Sequence, residues 1–454
     1  MPATLCASQL AGWGRVRRPG GERFAEQLLA ATPACSLSRG LGRSYGDSSL
    51  TAGPGERALN TTLADRLLAF DLASGRLRAE AGFTMRELYR VFLPRGWFAP
   101  VTPGTSFVTL GGMVASDVHG KNHHSAGTFG RHITALRIAV ADGRVIDCSP
   151  TTESELFWAT IGGMGLTGHI LEVEFTLDRV PSPWIYQLSE RVPNLATFLR
   201  RLEEVGRDWP MTMGWIDCIS RGAAMGRGHL MAGRWATAAE APRGFPRQLP
   251  RLRLPCELPD FALSPLSVRA FNFLYYWKHL ARQKRGIVHP ETFFYPLDAV
   301  LDWNKAYGRR GFTQYQVVLP KEDAARTAPA FLELLTREGG ASFLCVIKDC
   351  GEEGRGLLSF PMPGISVALD IKITDRTPEL VDRLNRFVIA AGGRTYLTKD
   401  LFTRAEDYRA MDPRLDQFLA VRRAWDPALR LRSAQSVRLF GDPPREPTST
   451  EAAP

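Results

Sequence analysis

Pro103-Gly-Thr-Ser-Phe-Val-Thr-Leu-Gly-Gly-Met-Val-Ala-Ser-Asp-Val-His-Gly-Lys-Asn-His-His-Ser-Ala-Gly-Thr-Phe-Gly130 is the stretch from which the rest of the chain is read. It holds six glycines, four small hydroxyl residues before Asp117, and three of the chain's eight histidines. Glycine lets backbone amides approach a ligand closely and tolerates positive φ. Successive free N–H groups in such loops form concave anion sites. The stretch therefore reads as a cradle for a phosphorylated cofactor, with His119, Lys121, His123 and His124 just downstream. The plain alternative is a cluster of surface turns.

Two further loops weigh against turns alone. Arg39-Gly-Leu-Gly-Arg-Ser-Tyr-Gly-Asp-Ser-Ser49 lies upstream and Gly162-Gly-Met-Gly-Leu-Thr-Gly168 downstream, each next to a strand-like run. Three such loops within 170 residues point to one large ligand gripped at several places. Neither is a Walker loop, because none ends Gly-Lys-Ser/Thr, and the spacing is not that of the Rossmann fingerprint.

At these residues the chain resembles the vanillyl-alcohol-oxidase-type flavoproteins. The string His119-Gly-Lys-Asn-His-His-Ser-Ala-Gly127 resembles one branch of them, the decaprenylphosphoryl-β-D-ribose 2-oxidases of cell-wall arabinan synthesis. Glu155-Leu-Phe-Trp-Ala-Thr-Ile-Gly-Gly, Trp303-Asn-Lys-Ala-Tyr-Gly, Gln314-Tyr-Gln, Leu358-Ser-Phe-Pro and Tyr396-Leu-Thr-Lys-Asp extend the likeness over roughly residues 5 to 440. The resemblance implies an α+β fold. A PCMH-type FAD-binding domain of two subdomains would span residues 1–181. A substrate domain with an antiparallel sheet flanked by helices would span 182–393, and residues 394–440 would return to the FAD domain.

The pattern along the chain agrees with a mixed fold. Leu77 to Phe83 alternates as a strand, and Thr84 can cap a helix running to Leu93, with Glu87 three residues on. Ala135 to Gly143 reads as a strand ending in an Asp-Gly turn, with Arg144 to Asp147 returning. Glu153–Thr160 is expected to be a short helix and His169–Leu177 a strand. Further on, strands are expected at 313–319, 342–347 and 365–373, and helices at 195–205, 322–338 and 377–391. The Pro- and Arg-rich stretch 236–265 reads as a mobile loop, and Gly441 to Pro454 as a disordered tail.

At 454 residues and 44% apolar composition the chain is an ordinary globular protein with room for two or three domains. No apolar run reaches the ~18–20 residues that span a bilayer. The first residues lack the basic start and long apolar block of a signal peptide, so a cytoplasmic protein is expected, with peripheral contact at the inner face of the membrane. Seven scattered cysteines lack Cys-x-x-Cys spacing, which argues for free thiols and no metal site. The net charge of +10 is concentrated: residues 221–290 carry 12 Lys or Arg against 3 Asp or Glu. Phe271, Phe273, Leu274, Tyr275, Tyr276 and Trp277 are interleaved there with Lys278, Arg282, Lys284 and Arg285. Basic-plus-aromatic composition suits an anionic membrane surface; a solvated charged face is the plain alternative. A nucleic-acid-binding module would leave the three glycine loops without a purpose.

The family's site residues carry over position by position. Backbone amides of Ser38, Arg39, Gly40, Leu41, Gly42, Arg43, Ser44, Tyr45, Gly46, Asp47 and Ser48 would bind the FAD pyrophosphate. Gly104, Thr109, Leu110, Gly111, Gly112, Ser116, Asp117, Val118 and His119 would complete the contact, with Ile170 and Tyr396 packing on the cofactor. Arg43 stands where several superfamily members carry a covalently flavinylated histidine, so FAD is expected to be non-covalent. Lys399 matches the active-site lysine that orients the hydroxyl and stabilises reduced flavin; His119 and Tyr45 accompany it as catalytic candidates. Trp215, Gln314, Gln316 and Lys348 match the substrate pocket, the two glutamines sharing one strand face. The family's pocket Asn-x-Cys is here Ser366-x-Ala368, which removes the thiol that covalent inhibitors attack. The implied reaction is oxidation of the 2-hydroxyl of a polyprenylphosphoryl-β-D-ribose, with a separate short-chain NAD(P)-dependent reductase completing epimerisation to arabinose. Oxidation of a soluble alditol or aldonolactone is the second enzymatic reading.

Overall fold

A computed structural model describes residues 9–278, 281–340 and 342–444, with only the backbone of residues 260 and 261. Cys6 and the expected tail residues 445–454 lie outside that range. Three sheets matter. A small parallel sheet has the order Gly21–Phe24, Arg57–Asn60, Leu37–Arg39. A five-stranded antiparallel sheet runs Val145–Cys148, Ile133–Ala139, His169–Thr176, Arg76–Glu80, Leu67–Phe70. An eight-stranded antiparallel sheet runs Gln283–Val288, Ile185–Val192, Gly228–Trp235, Met211–Ile216, Cys345–Cys350, Gly364–Lys372, Phe312–Pro320, Arg394–Thr395. The fold is α+β.

Local chemistry accounts for the elements. Met85–Phe92 starts where the Thr84 hydroxyl accepts from the Glu87 N–H; the Glu87 carboxylate turns to Arg90 instead of back to the cap. Val145 pairs with Ala139 across the Asp142-Gly143 turn, where Gly143 has φ +90°. In the large sheet alternation sorts side chains cleanly. Tyr315, Val317, Leu319, Ile347, Val367 and Leu369 face a core shared with the helices Leu195–Asp208, Ala324–Arg337 and Thr377–Ala390. The opposite face carries Gln314, Gln316, Lys348 and Ala368, and it looks onto a cavity.

Several expectations change. The stretch 103–130 is not all loop: it contains the short helices Leu110–Ala115 and His123–Ala126. The strand expected at 342–347 is Cys345–Cys350, because the Ser342 hydroxyl folds its own segment by bonding the Leu344 N–H and C=O. The large sheet takes its last strand, Arg394–Thr395, from beyond residue 393, after which helices of 405–440 pack against the helix Ser154–Thr160. The stretch 236–265 is anchored: Leu252–Arg253 pairs in parallel with Val300–Leu301, and Arg251 pairs with Glu291 at 3.3 Å. The tail expectation fails for Asp442, which is buried and bonds the fully buried Arg422 at 2.6 and 2.8 Å. A guanidinium with no access to water needs a counter-charge, and residue 442 supplies it.

Candidate active site

A cavity of about 780 Å³ lies between the glycine loops and the open face of the large sheet. That is in the upper part of the ~300–1,000 Å³ range of cofactor and ligand sites. Its loop side is formed by the first loop from Ser38 to Tyr45 with Ser48, by Gly104, Thr109, Gly111 and Gly112, by Ser116, Val118 and His119, and by Gly165, Gly168 and Ile170. Much of this wall is bare main chain. A Cβ added at Gly104 or Gly165 would meet no atom within 4 Å, whereas one at Gly40 would strike the Thr109 hydroxyl, so the first two loops touch there. Thr109 caps the helix Leu110–Ala115 by accepting from the Gly112 N–H, which turns Gly111 and Gly112 to the cavity.

The sheet side presents Trp215, Gln314, Gln316, Lys348 and Ala368, joined by Tyr396 and Lys399 from the connection that follows Thr395. Trp215 is fixed by its indole N–H donating to the Phe343 carbonyl at 2.9 Å, and its ring packs on Tyr275 at 4.6 Å. Gln314 donates to Asp370 at 2.6 Å; Gln316 reaches Ser366 at 3.2 Å and His119 Nε2 at 2.9 Å. With Gln316 donating, His119 accepts at Nε2 and carries its proton on Nδ1, which has no partner among the described residues. Burial holds the His119 imidazole well below its usual range, helped by Lys348, His123 and Lys399, so the ring is neutral near pH 7. The Lys399 amine lies 3.7 Å from the Tyr45 ring centroid, and burial pushes it down to about 7 against the opposing pull of Asp370.

Five expected residues lie off the wall. Asp117 is buried and accepts from the Gly130 N–H and the Ser359 hydroxyl; Asp47 is tied to Arg438 at 2.8 Å. Gly46 is pressed against the Asp400 carbonyl, and Leu110 is in the core. Ser366 acts from behind by holding Gln316. Arg39 reaches the wall, but its guanidinium is spent on Glu22 at 2.6 Å. Arg43 packs over Trp13 at 4.1 Å and offers no ring nitrogen for a flavin linkage. Of the three clustered histidines, His123 accepts from the Gly351 N–H and His124 bonds the Trp209 carbonyl, leaving only His119 on the wall. Lys121, read in the sequence as lying just downstream of the cradle but given no role in the site, is a wall residue. It is buried, donates to the Phe294 carbonyl at 3.0 Å, and is pushed by burial down to about 7. Its position two residues after His119 was the available signal. Among the described residues no group of His, Cys, Asp and Glu could hold a metal ion.

The residues present fit FAD: three bare-backbone loops line one cavity, and the His119 Nδ1 on its wall is buried without a partner among the described residues. A family model described as an FAD binding domain matches residues 27–149. Fold and site thus define an FAD-dependent oxidoreductase. Over 440 residues the chain is 34% identical to the decaprenylphosphoryl-β-D-ribose oxidase of Mycolicibacterium smegmatis, covering 92% of this chain and 94% of that protein. It is 35% identical over 373 residues to an uncharacterized protein in the mprA 5′ region of Streptomyces coelicolor, covering 78% of this chain and 99% of that one. The L-gulonolactone oxidase of Mus musculus is 29% identical over 147 residues, 31% of this chain and 32% of its own. The chain belongs to the decaprenylphosphoryl-β-D-ribose oxidase family.

Proposed function

We propose that this enzyme oxidises the 2-hydroxyl of a polyprenylphosphoryl-β-D-ribose to the ketone. The observation that carries the reading is the meeting of Lys399, His119 and Gln316 on one cavity with the FAD-binding glycine loops. The backbone of the first loop with Thr109, Gly111 and Gly112 would hold FAD, which would supply the acceptor for the hydride of the carbinol carbon. The protein's part is to orient the sugar and to receive the hydroxyl proton. Lys399, half deprotonated near neutrality, is the group suited to that proton. His119 offers an N–H at Nδ1 to an oxygen in the cavity. Lys348 and Lys121 place two amines on the cavity wall whose charge burial disfavours, and a phosphate-bearing substrate would favour their protonated forms.

The exposed apolar side chains around part of the cavity lining support a lipid-linked substrate. Phe271, Tyr275 and Lys278 of the helix Pro265–Tyr276 and its end line the cavity, as do Arg253, Val300 and Leu301. On the same helix Leu266, Phe273 and Leu274 are exposed, as is Leu252 beside Arg253. No helix among the described residues is long and apolar enough to cross a membrane. The basic residues of 221–290 and the exposed apolar side chains of the helix favour a peripheral contact with an anionic lipid surface, from which the prenyl chain would enter. A 2-keto sugar requires reduction from the opposite face to become the arabinose epimer, so a nicotinamide-dependent short-chain reductase is the partner in sequence.

Anaerobic mixing with polyprenylphosphoryl ribose should bleach the flavin, while free ribose, alditols and aldonolactones should not. Lys399→Ala should retain the bound-flavin spectrum and lose roughly 10²–10⁴ in the rate of bleaching. Bleaching by a soluble sugar alone would overturn the substrate assignment.

A further inference from the structure

Asp370 lies within the strand Gly364–Lys372 on the face that carries Ala368, and is not itself on the cavity wall. Its side chain is buried, at 1% exposure. An ionised carboxylate inside a sheet costs several kcal/mol unless its oxygens are satisfied. Two donors satisfy it, one on each oxygen: Tyr307 Oη at 2.7 Å and Gln314 Nε2 at 2.6 Å. Gln314 stands directly opposite on the neighbouring strand, and its carboxamide is near enough to the Tyr45 phenol to act against the burial that raises that phenol's pKa. The Tyr45 ring in turn carries the Lys399 amine at 3.7 Å. Tyr307 stacks on Phe312 at 4.0 Å, and Phe312 meets Tyr45 edge-on at 5.4 Å. Both the polar route and the aromatic route from Asp370 end at the corner where Tyr45 and Lys399 meet.

We propose that Asp370 is the positioning residue of this corner: it fixes the Gln314 carboxamide against Tyr45 and supplies the negative charge that Lys399 faces. The proposal rests on the reading of Lys399 as the group that meets the sugar hydroxyl. The charges around the amine are few. Asp370 holds its proton on; Lys348 and burial drive it off. Tyr45 and Tyr307 are held neutral by burial, His119 is neutral, and the Cys345 thiol behind Asp370 is kept protonated. Asp370 itself is pushed up to about 6 by burial and held there by Gln314, Tyr307 and Lys399, so it is largely ionised at neutral pH. A purely structural carboxylate would fix Tyr307 and leave the amine indifferent to it.

The experiment reads Lys399 directly. FAD-loaded wild-type, Asp370→Asn and Tyr307→Phe proteins are pulsed with acetic anhydride across pH 5.5 to 9.5, and acetylation of the Lys399 peptide is followed by mass spectrometry. Asp370→Asn should lower the pH of half-modification by roughly one unit, since an opposing charge is lost. Tyr307→Phe keeps the ring stack and removes one donor from the ionised carboxylate, and should give a smaller shift in the same direction. Should Asp370→Asn fail to hold FAD, Tyr307→Phe decides. An unchanged half-modification pH in variants that keep the flavin spectrum overturns the proposal. That result is distinct from failure of the substrate reading, which Lys399→Ala reports through bleaching.

Discussion

The Lys399 amine works at a pKa that water would not give it. Burial lowers it from the usual lysine range to about 7, with Lys348 adding to the effect and Asp370 opposing it. If the neutral amine receives the hydroxyl proton, the rate of flavin reduction by substrate should be low at pH 6, rise through about pH 7 and level off above pH 8. His119 adds no second step there, because its imidazole is already neutral throughout that range. Rapid-mixing absorbance under anaerobic conditions measures the profile, and a rate independent of pH from 6 to 9 would remove Lys399 as the proton acceptor. Residue identity of this kind was legible in the string Tyr396-Leu-Thr-Lys-Asp, but its environment was not. The groups that set the amine's charge, Asp370 and Lys348, lie 29 and 51 positions earlier, and only pairing within the sheet brings their strands together.

Among the elements, the glycine loops depend on one another as much as on a ligand. Gly40 approaches Thr109 so closely that a Cβ would lie 2.3 Å from its hydroxyl, the same hydroxyl that caps the helix Leu110–Ala115. Gly40→Ala should therefore displace both loops at a cost of about 1–3 kcal/mol, weakening FAD roughly ten- to hundredfold with little loss of fold. Flavin fluorescence on dilution measures this; unchanged retention would show that the two loops move apart freely. The helix Pro265–Tyr276 makes a separate prediction. It buries Val268, Asn272 and Tyr276 at fourfold spacing, yet leaves Leu266 and Leu274 77% and 68% exposed. Changing Leu266, Phe273 and Leu274 together to Asp should abolish co-sedimentation with phosphatidylglycerol vesicles while sparing the flavin spectrum; persistent sedimentation would refute the lipid contact. Strands and helices of this size were legible from periodicity, as at Gly364–Lys372 and Thr377–Ala390. What local pattern could not separate was wall from support. Asp47 and Asp117 sit in ligand-like loops, but their partners Arg438 and Ser359 are 391 and 242 residues away.

At the scale of the whole molecule, the C-terminal segment closes the structure around the loops. Arg432 bonds Glu56, and Arg438 joins Asp47 of the first loop to Asp400, the neighbour of Lys399. The helix Ala434–Phe440 ends at Gly441, whose φ of +73° turns the chain back so that Asp442 meets Arg422. That pair has almost no contact with solvent, the two side chains being 0% and 2% exposed. A buried ion pair adds little over an apolar pair of the same shape, but breaking it from one side strands a charge. Asp442→Ala should therefore destabilise the protein by about 3–5 kcal/mol, whereas Arg422→Met combined with Asp442→Leu should recover most of the loss. Guanidinium unfolding of the FAD-loaded protein, followed by both tryptophan and flavin emission, measures both variants. Because the same segment braces the first loop through Arg438, Asp442→Ala should also release FAD before the large sheet unfolds, so the flavin transition should precede the tryptophan one. Coincident transitions with wild-type midpoints would mean that residues 441–444 are no part of the fold's closure.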